Sequence, residues 1–180
     1  MLDEPQSEYG FTLLELIITM AIGAILLSLA MPSFRSMMGD SAMTGTANDF
    51  VFALQAARSE AIKRSGVVGM CASAAPLVDD ATCAGGYNGG WLVYADLNSD
   101  GDRDDPLEPL ILQVEARNTG FTFTPSSTFT GADQQIHFSS SGGSINSTGI
   151  PLSGTITIDY ADEQRVVTVS ANGRISTATP

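Results

Sequence analysis

The chain has 180 residues, with 20 Asp and Glu against 8 Lys and Arg, a formal net charge of −12, and 18 Gly. That length suits one domain with an appended segment, and the acidic balance argues against general nucleic-acid binding, because phosphate contacts need clustered Lys and Arg. One His and two Cys leave too little for a zinc site or a Cys/His dyad, and no GxSxG, HExxH or phosphate-cradling loop occurs, so the chain reads as a non-enzyme.

From Phe11 to Met31 runs FTLLELIITMAIGAILLSLAM, which carries a single charge, Glu15; Pro32, Arg35 and Asp40 follow it. As a helix this run would be about 30 Å long, enough to cross the hydrocarbon of a bilayer. A secretory signal peptide is the alternative. Against it, the preceding stretch holds Asp3, Glu4 and Glu8 with no Lys or Arg, and no small-residue cleavage pattern stands out. A membrane anchor fits better. A carboxylate inside a membrane segment costs about 2–3 kcal/mol on insertion scales. Glu15 therefore either reaches water near the membrane surface or pairs with a positive group on a neighbouring subunit.

Past Pro32, Phe50, Leu54, Ala57 and Ala61 recur at i, i+4, i+7 and i+11 on one helical face, with Arg58, Glu60, Lys63 and Arg64 largely elsewhere. Gly39 and Gly45 weaken the middle by about 1 kcal/mol each relative to Ala. The pattern predicts one long helix ending at Ser65-Gly66, with Gly66 as the C-terminal cap and its second half packed on a sheet. Lys63 and Arg64 complement the helix dipole there.

From Val67 the pattern changes to short β-type runs separated by Gly, Ser, Asn and Pro: Val67–Cys71, Gly90–Ala95, Leu110–Val114, Phe121–Phe123, Gln135–Phe138, Gly154–Tyr160 and Arg165–Ser170. The last two form a hairpin across a turn at Ala161–Gln164. Leu110-Ile111-Leu112 reads as a more buried strand, Ser139–Gly149 as a loop, and Trp91 as core. His137, in a β-run, reads as an outward or hydrogen-bonded residue. The fold class is α+β, a long N-terminal helix against antiparallel sheets.

The segment from Asp96 to Asp105 reads DLNSDGDRDD. Hard oxygen donors at alternate positions with Gly at the sixth match the first half of an EF-hand-like calcium loop: Asp96, Asn98, Asp100, then Asp104 at the ninth position, with Asp102 a further carboxylate. The Glu expected at the twelfth position is absent. Leu107 stands there, Glu108 comes one later, and Pro106 interrupts any exit helix. The alternative is an acidic, solvated hairpin loop.

Gly10-Phe11-Thr12-Leu13-Leu14-Glu15-Leu16, followed by an apolar helix, resembles the class III signal of type IV pilins and type II secretion pseudopilins. The resemblance implies cleavage after Gly10 by a prepilin peptidase at the cytoplasmic face and methylation of the new Phe11 amine. It also implies that Glu15 pairs with the N-terminal amine of the neighbouring subunit during assembly. Pro32 falls where the family carries a helix-kinking proline. Leaders of the family carry Lys or Arg just before the Gly, whereas this one, MLDEPQSEYG, is acidic.

Ala57 to Arg64, the β-run ending in Cys71, Gly90-Trp91-Leu92-Val93-Tyr94 and the Asp-rich loop resemble the GspH/FimT branch of minor pseudopilins and minor pilins. The implied organisation is a prepilin leader over 1–10, a transmembrane helix over 11–31, a stalk helix over 32–66 and a β-rich periplasmic domain over 67–180. The implied place is the bacterial inner membrane, crossed once. The implied function is a minor pseudopilin of the type II secretion pseudopilus, with a minor pilin of a type IV pilus as the alternative, serving assembly, twitching or DNA uptake. Its partners would be other pilins or pseudopilins through the N-terminal helix, and the prepilin peptidase. An outer-face location is oxidising, which points to a Cys71–Cys83 disulfide; a reactive free thiol is the alternative. Some FimT-branch members bind DNA through a Gly-Arg-x-Arg element. Here Gly173-Arg174-Ile175-Ser176 keeps only the first arginine, Arg174.

Overall fold

A computed structural model describes residues 11–103, 107–116, 120–129 and 134–180, with the backbone alone described at 29–33, 35 and 36. The expected leader over 1–10, Gly10 included, and Asp104 lie outside the described residues. The chain divides into two compact units, Met1–Met38 and Gly39–Pro180. Helix α1 (Leu13–Arg64) begins in the first and ends in the second. The division falls at Gly39, one of the two glycines that weaken the helical pattern.

From Leu13 to Leu27, α1 carries apolar residues on every side, and Leu13, Leu14, Leu16, Ile17, Ile18, Ile25, Leu26 and Leu27 are all exposed. Among the described residues no helix is long and apolar enough to cross a membrane. The run expected to do so extends to residue 31, and the side chains of 29–31 lie outside those described.

In the second unit the helical face is the one the spacing predicts: Met43, Ala47, Phe50, Leu54, Ala57 and Ala61 are buried. The helix ends in a Schellman arrangement, with Ser65 N–H donating to the Ile62 carbonyl and Gly66 N–H to the Ala61 carbonyl, both at 3.2 Å. The left-handed residue of that cap is Ser65, with φ 53°, rather than Gly66. Lys63 and Arg64 both fold back on Glu60, at 2.9 and 2.7 Å, and their hydrogen bonds hold its carboxyl below the usual range.

Among the described residues nine strands follow in two antiparallel sheets. The strands are β1 (Val67–Ala72), β2 (Gly90–Asp96), β3 (Leu110–Glu115), β4 (Thr122–Pro125), β5 (Ile136–Phe138), β6 (Ser144–Ile145), β7 (Gly154–Tyr160), β8 (Glu163–Val169) and β9 (Ile175–Ala178). One sheet has the order β3-β2-β1-β5-β6 and the other β4-β7-β8-β9. The chain therefore leaves the first sheet for β4, returns for β5 and β6, and leaves again. Val68, Met70, Ala72, Trp91 and Val93 face the main core with α1, whereas Cys71, Leu92 and Tyr94 pack on the opposite face with Ala81. With both faces covered, β2 is buried along its whole length, which is why its sequence is continuously apolar.

Three expectations need correction. β3 is an edge strand, and Leu110, Ile111 and Leu112 are only half-buried, because among the described residues one side of the strand has no neighbour. The loop expected over Ser139–Gly149 contains β6, too short to leave a periodic signal. The hairpin turn is tighter than Ala161–Gln164: Tyr160 pairs with Glu163, and Ala161 takes the left-handed conformation, φ 52°, that normally favours Asn or Gly.

The core converges on Phe50, whose ring lies 5.0 Å from Tyr87, 5.3 Å from Trp91 and 5.5 Å from Phe123. Replacing Phe50 by Ala is expected to cost about 3–5 kcal/mol, read as a lowered urea midpoint of the detergent-solubilised chain. A cost below about 1 kcal/mol would mean that this junction does not hold the domain together.

Candidate functional site

The residues that sequence reasoning singles out fall in three places. At the N-terminus, Thr12 precedes the first helical residue and Glu15 is three positions later, the spacing of a capping box. Glu15 N–H donates to Thr12 Oγ1 at 3.3 Å, and the Thr12 amide and hydroxyl each reach Glu15 Oε2 at 3.5 Å. Phe11 and Glu15 are both exposed. The two contacts at 3.5 Å lie beyond the usual hydrogen-bond range, so the carboxylate is only lightly engaged.

Arg174 is exposed just before β9 and lines a shallow cleft with Gln55, Arg58 and Asn172. Arg58 is committed elsewhere, its Nε donating to the Gly142 carbonyl at 2.9 Å.

The third place is the β2–β3 connection. Cys71 and Cys83 form a disulfide with a Cα separation of 5.6 Å, tying the loop after β1 to that strand. Arg103 connects this loop to the acidic segment. Its guanidinium is buried, donates to the Ala81 carbonyl and lies 3.5 Å from Asp80.

The acidic segment is not a uniformly solvated loop. Asp96 ends β2 and is 4% exposed, and Glu108, just before β3, is 1% exposed. Asp96 accepts the amides of Ser99 at 2.6 Å and Gly101 at 3.2 Å. Asp100 accepts from the Asn98 side chain at 2.6 Å and from the Asp102 amide at 3.0 Å. Glu108 Oε1 accepts the Leu97 amide at 3.0 Å, and Oε2 is buried with no hydrogen-bond partner. Carboxylate oxygens of Asp96, Asp100 and Glu108 all lie within 4.8 Å of one another.

The structure thus brings together Asp96 and Asp100 of the expected calcium set and adds Glu108. Asn98 spends its side chain on Asp100, with Nδ2 donating to the carboxylate and Oδ1 accepting the amide. Asp102 turns away: its carboxylate accepts the Arg103 amide at 2.8 Å and the Gln135 side chain at 3.1 Å. Gly101 has φ +85°, and a Cβ there would lie 2.5 Å from Ser147 Cβ, so the sixth position requires glycine on both grounds.

Burial pushes the carboxyls of Asp96 and Glu108 above their ordinary values. Among the described residues no Lys or Arg pairs with Asp96, Asp100 or Glu108. His137 stands beside them in β5, where burial lowers its pKa against the pull of the nearby Asp96 carboxylate. Its Nε2 lies 3.2 Å from the Tyr94 hydroxyl. Gly69 makes that contact possible. It is paired with both Tyr94 and His137, and a Cβ on it would fall 2.5 Å from the Tyr94 ring. Sequence reasoning had set Glu108 aside because it is one residue out of register with a calcium loop, and nothing local tied Tyr94 or Gly69 to the loop.

Among comparisons with known proteins, the family model described as type II transport protein GspH matches residues 46–173. The prokaryotic N-terminal methylation motif matches residues 6–31. A crystal structure of the type IV minor pilin FimU from Pseudomonas aeruginosa strain PAO1, in space group P21, superposes with a TM-score of 0.52 at 23% identity, covering 75% of this chain and 87% of that one. The same protein in space group P65 gives a TM-score of 0.52 at 22% identity, with coverages of 75% and 91%. These likenesses bear out the pilin-type α+β fold. No curated protein matches the chain.

The loop closed by Cys71 and Cys83 is short, so chain entropy sets the disulfide's contribution at about 2–3 kcal/mol. A Cys71→Ser/Cys83→Ser double variant is expected to lose that much in urea denaturation, and the oxidised chain is expected to take up no thiol reagent until unfolded and reduced. Rapid labelling of the native oxidised chain would contradict the pairing.

Proposed function

The chain belongs to the GspH family, and from that premise we propose that it is a minor pseudopilin, a structural subunit of the type II secretion pseudopilus that supports protein export. The observation that carries the reading is the union in one chain of the N-terminal methylation motif over 6–31 with the GspH match over 46–173. The subunit's work is mechanical and no step is catalytic.

A prepilin peptidase removes residues 1–10 after Gly10, and the amine of Phe11 is methylated. The start of α1, apolar all round and exposed, is unsuited to water and requires lipid or the helices of neighbouring subunits around it. It anchors the chain in the inner membrane, with the β-rich domain in the periplasm, and then packs among other pilin-type helices as the fibre grows. In such surroundings an isolated carboxylate is costly, and a partner cation repays that cost only at close range. The lightly held Glu15 carboxylate is free to exchange Thr12 for the Phe11 amine of the adjacent subunit, which sets the axial register of the fibre.

The second reading, a minor pilin of a type IV pilus, is favoured by one observation: the solved structures it resembles are type IV minor pilins. Both machines use the same subunit design.

Intact mass of the membrane-extracted chain, coexpressed with a prepilin peptidase, should show loss of residues 1–10 plus one methyl group, abolished by Gly10→Ala. An uncleaved chain overturns both readings. In the native host, loss of exoprotein secretion with twitching intact on gene deletion supports the pseudopilus, and the reverse supports the pilus. A Glu15→Val chain is expected to reach the membrane at normal levels yet restore neither activity above about a tenth of the wild-type level. Full complementation by it would exclude the charge pair.

A further inference from the structure

We propose that the β2–β3 connection is a calcium site whose protein ligands are Asp96, Asp100 and Glu108, a role that lies outside fibre assembly. Two independent observations meet there. The first is the convergence of three carboxylates, with oxygens mutually within 4.8 Å. The second is Glu108 Oε2, an acceptor on a residue 1% exposed, with no hydrogen-bond partner. Leaving a buried carboxylate oxygen unpaired is destabilising, and holding it beside two further carboxylates adds repulsion. A bound cation removes both penalties.

The donor chemistry selects the ion. All three side chains offer hard carboxylate oxygen and no thiolate, which favours calcium, magnesium or manganese over softer metals. Calcium accepts an irregular set completed by backbone carbonyls and water, whereas magnesium demands near-ideal octahedral geometry and sheds its water reluctantly. Here two ligands come from the start of the loop and one from its far end, and Asp96 also lines the open cleft beside Asn146 and Gly149. That opening gives ion and water a way in. Bound calcium would fasten the end of β2 to the start of β3 and fix the outer end of the five-stranded sheet.

The test uses the full chain in detergent, stripped with a chelator. Calcium a hundredfold above its Kd is expected to raise Tm by about 5–10 °C, and magnesium at the same concentration by much less. Glu108→Gln and Asp96→Asn are expected to weaken calcium binding about 30-fold or more. Tm in chelator should be unchanged or raised for Glu108→Gln, because the variant removes a buried charge. That distinguishes ligand loss from misfolding. Asp102→Asn should keep the calcium response, since its carboxylate is engaged by Arg103 and Gln135. No calcium-dependent shift in the wild type, an equal shift with magnesium, or a response lost in Asp102→Asn but kept in Glu108→Gln would each overturn the assignment.

Discussion

Phe50 stands where the helix meets both sheets, and its ring touches Tyr87 ahead of β2, Trp91 within β2 and Phe123 in β4. Tyr87, Trp91 and Phe123 also lie 5.9–6.5 Å from one another. Such edge-on and tilted pairs add to the area they bury. Side chains meet between the two sheets, and this aromatic group is where three elements share a single contact. Tyr87 is fixed from its far end as well, its hydroxyl donating to the Gln134 carbonyl.

Opposite that junction, the outer face of the first sheet does a different job. There Cys71, Leu92 and Tyr94 form a small second core under the loop that the disulfide closes. Arg103 joins this loop to the acidic connection through Ala81. The chain thus places its most strongly charged segment at the end of a doubly covered strand. Asp96 is buried because β2 is buried to its last residue, whereas Glu108 is buried between exposed Leu107 and Pro109 with its carboxylate on the Leu97 amide; neither carboxylate favours such a position by itself.

The helix was legible because its apolar positions repeat at the helical period over many turns, and the last hairpin because Ile156, Ile158, Val167 and Val169 alternate and are buried as that alternation requires. β9 carried no such signal. Only Ile175 is apolar and half-buried; Ser176, Thr177 and Ala178 are polar or small and exposed, and the four form a strand because β8 offers them an open edge. β3 misled for the opposite reason, since an apolar run does not reveal whether the strand has one neighbour or two. In the acidic loop, composition singled out Asp96 and Asp100 as candidate ligands, but Glu108 stands one residue beyond the twelfth position of the motif. Its nearness to Asp96 and Asp100 is visible only in the three-dimensional course of the chain.

The order in which the chain visits its sheets constrains how the protein can be made. β1 gains one neighbour promptly from β2, but its other edge waits for β5, with Val68 paired to Phe138. β4 in turn waits for β7. Neither sheet can close as the polypeptide emerges, so the domain cannot be assembled piece by piece from its N-terminal end. Long-range pairings of this kind slow folding, and an unfilled strand edge invites pairing with another chain. A newly made chain passes through a stage in which its central strand is open on one side, and its safety during that interval depends on how soon β5 follows.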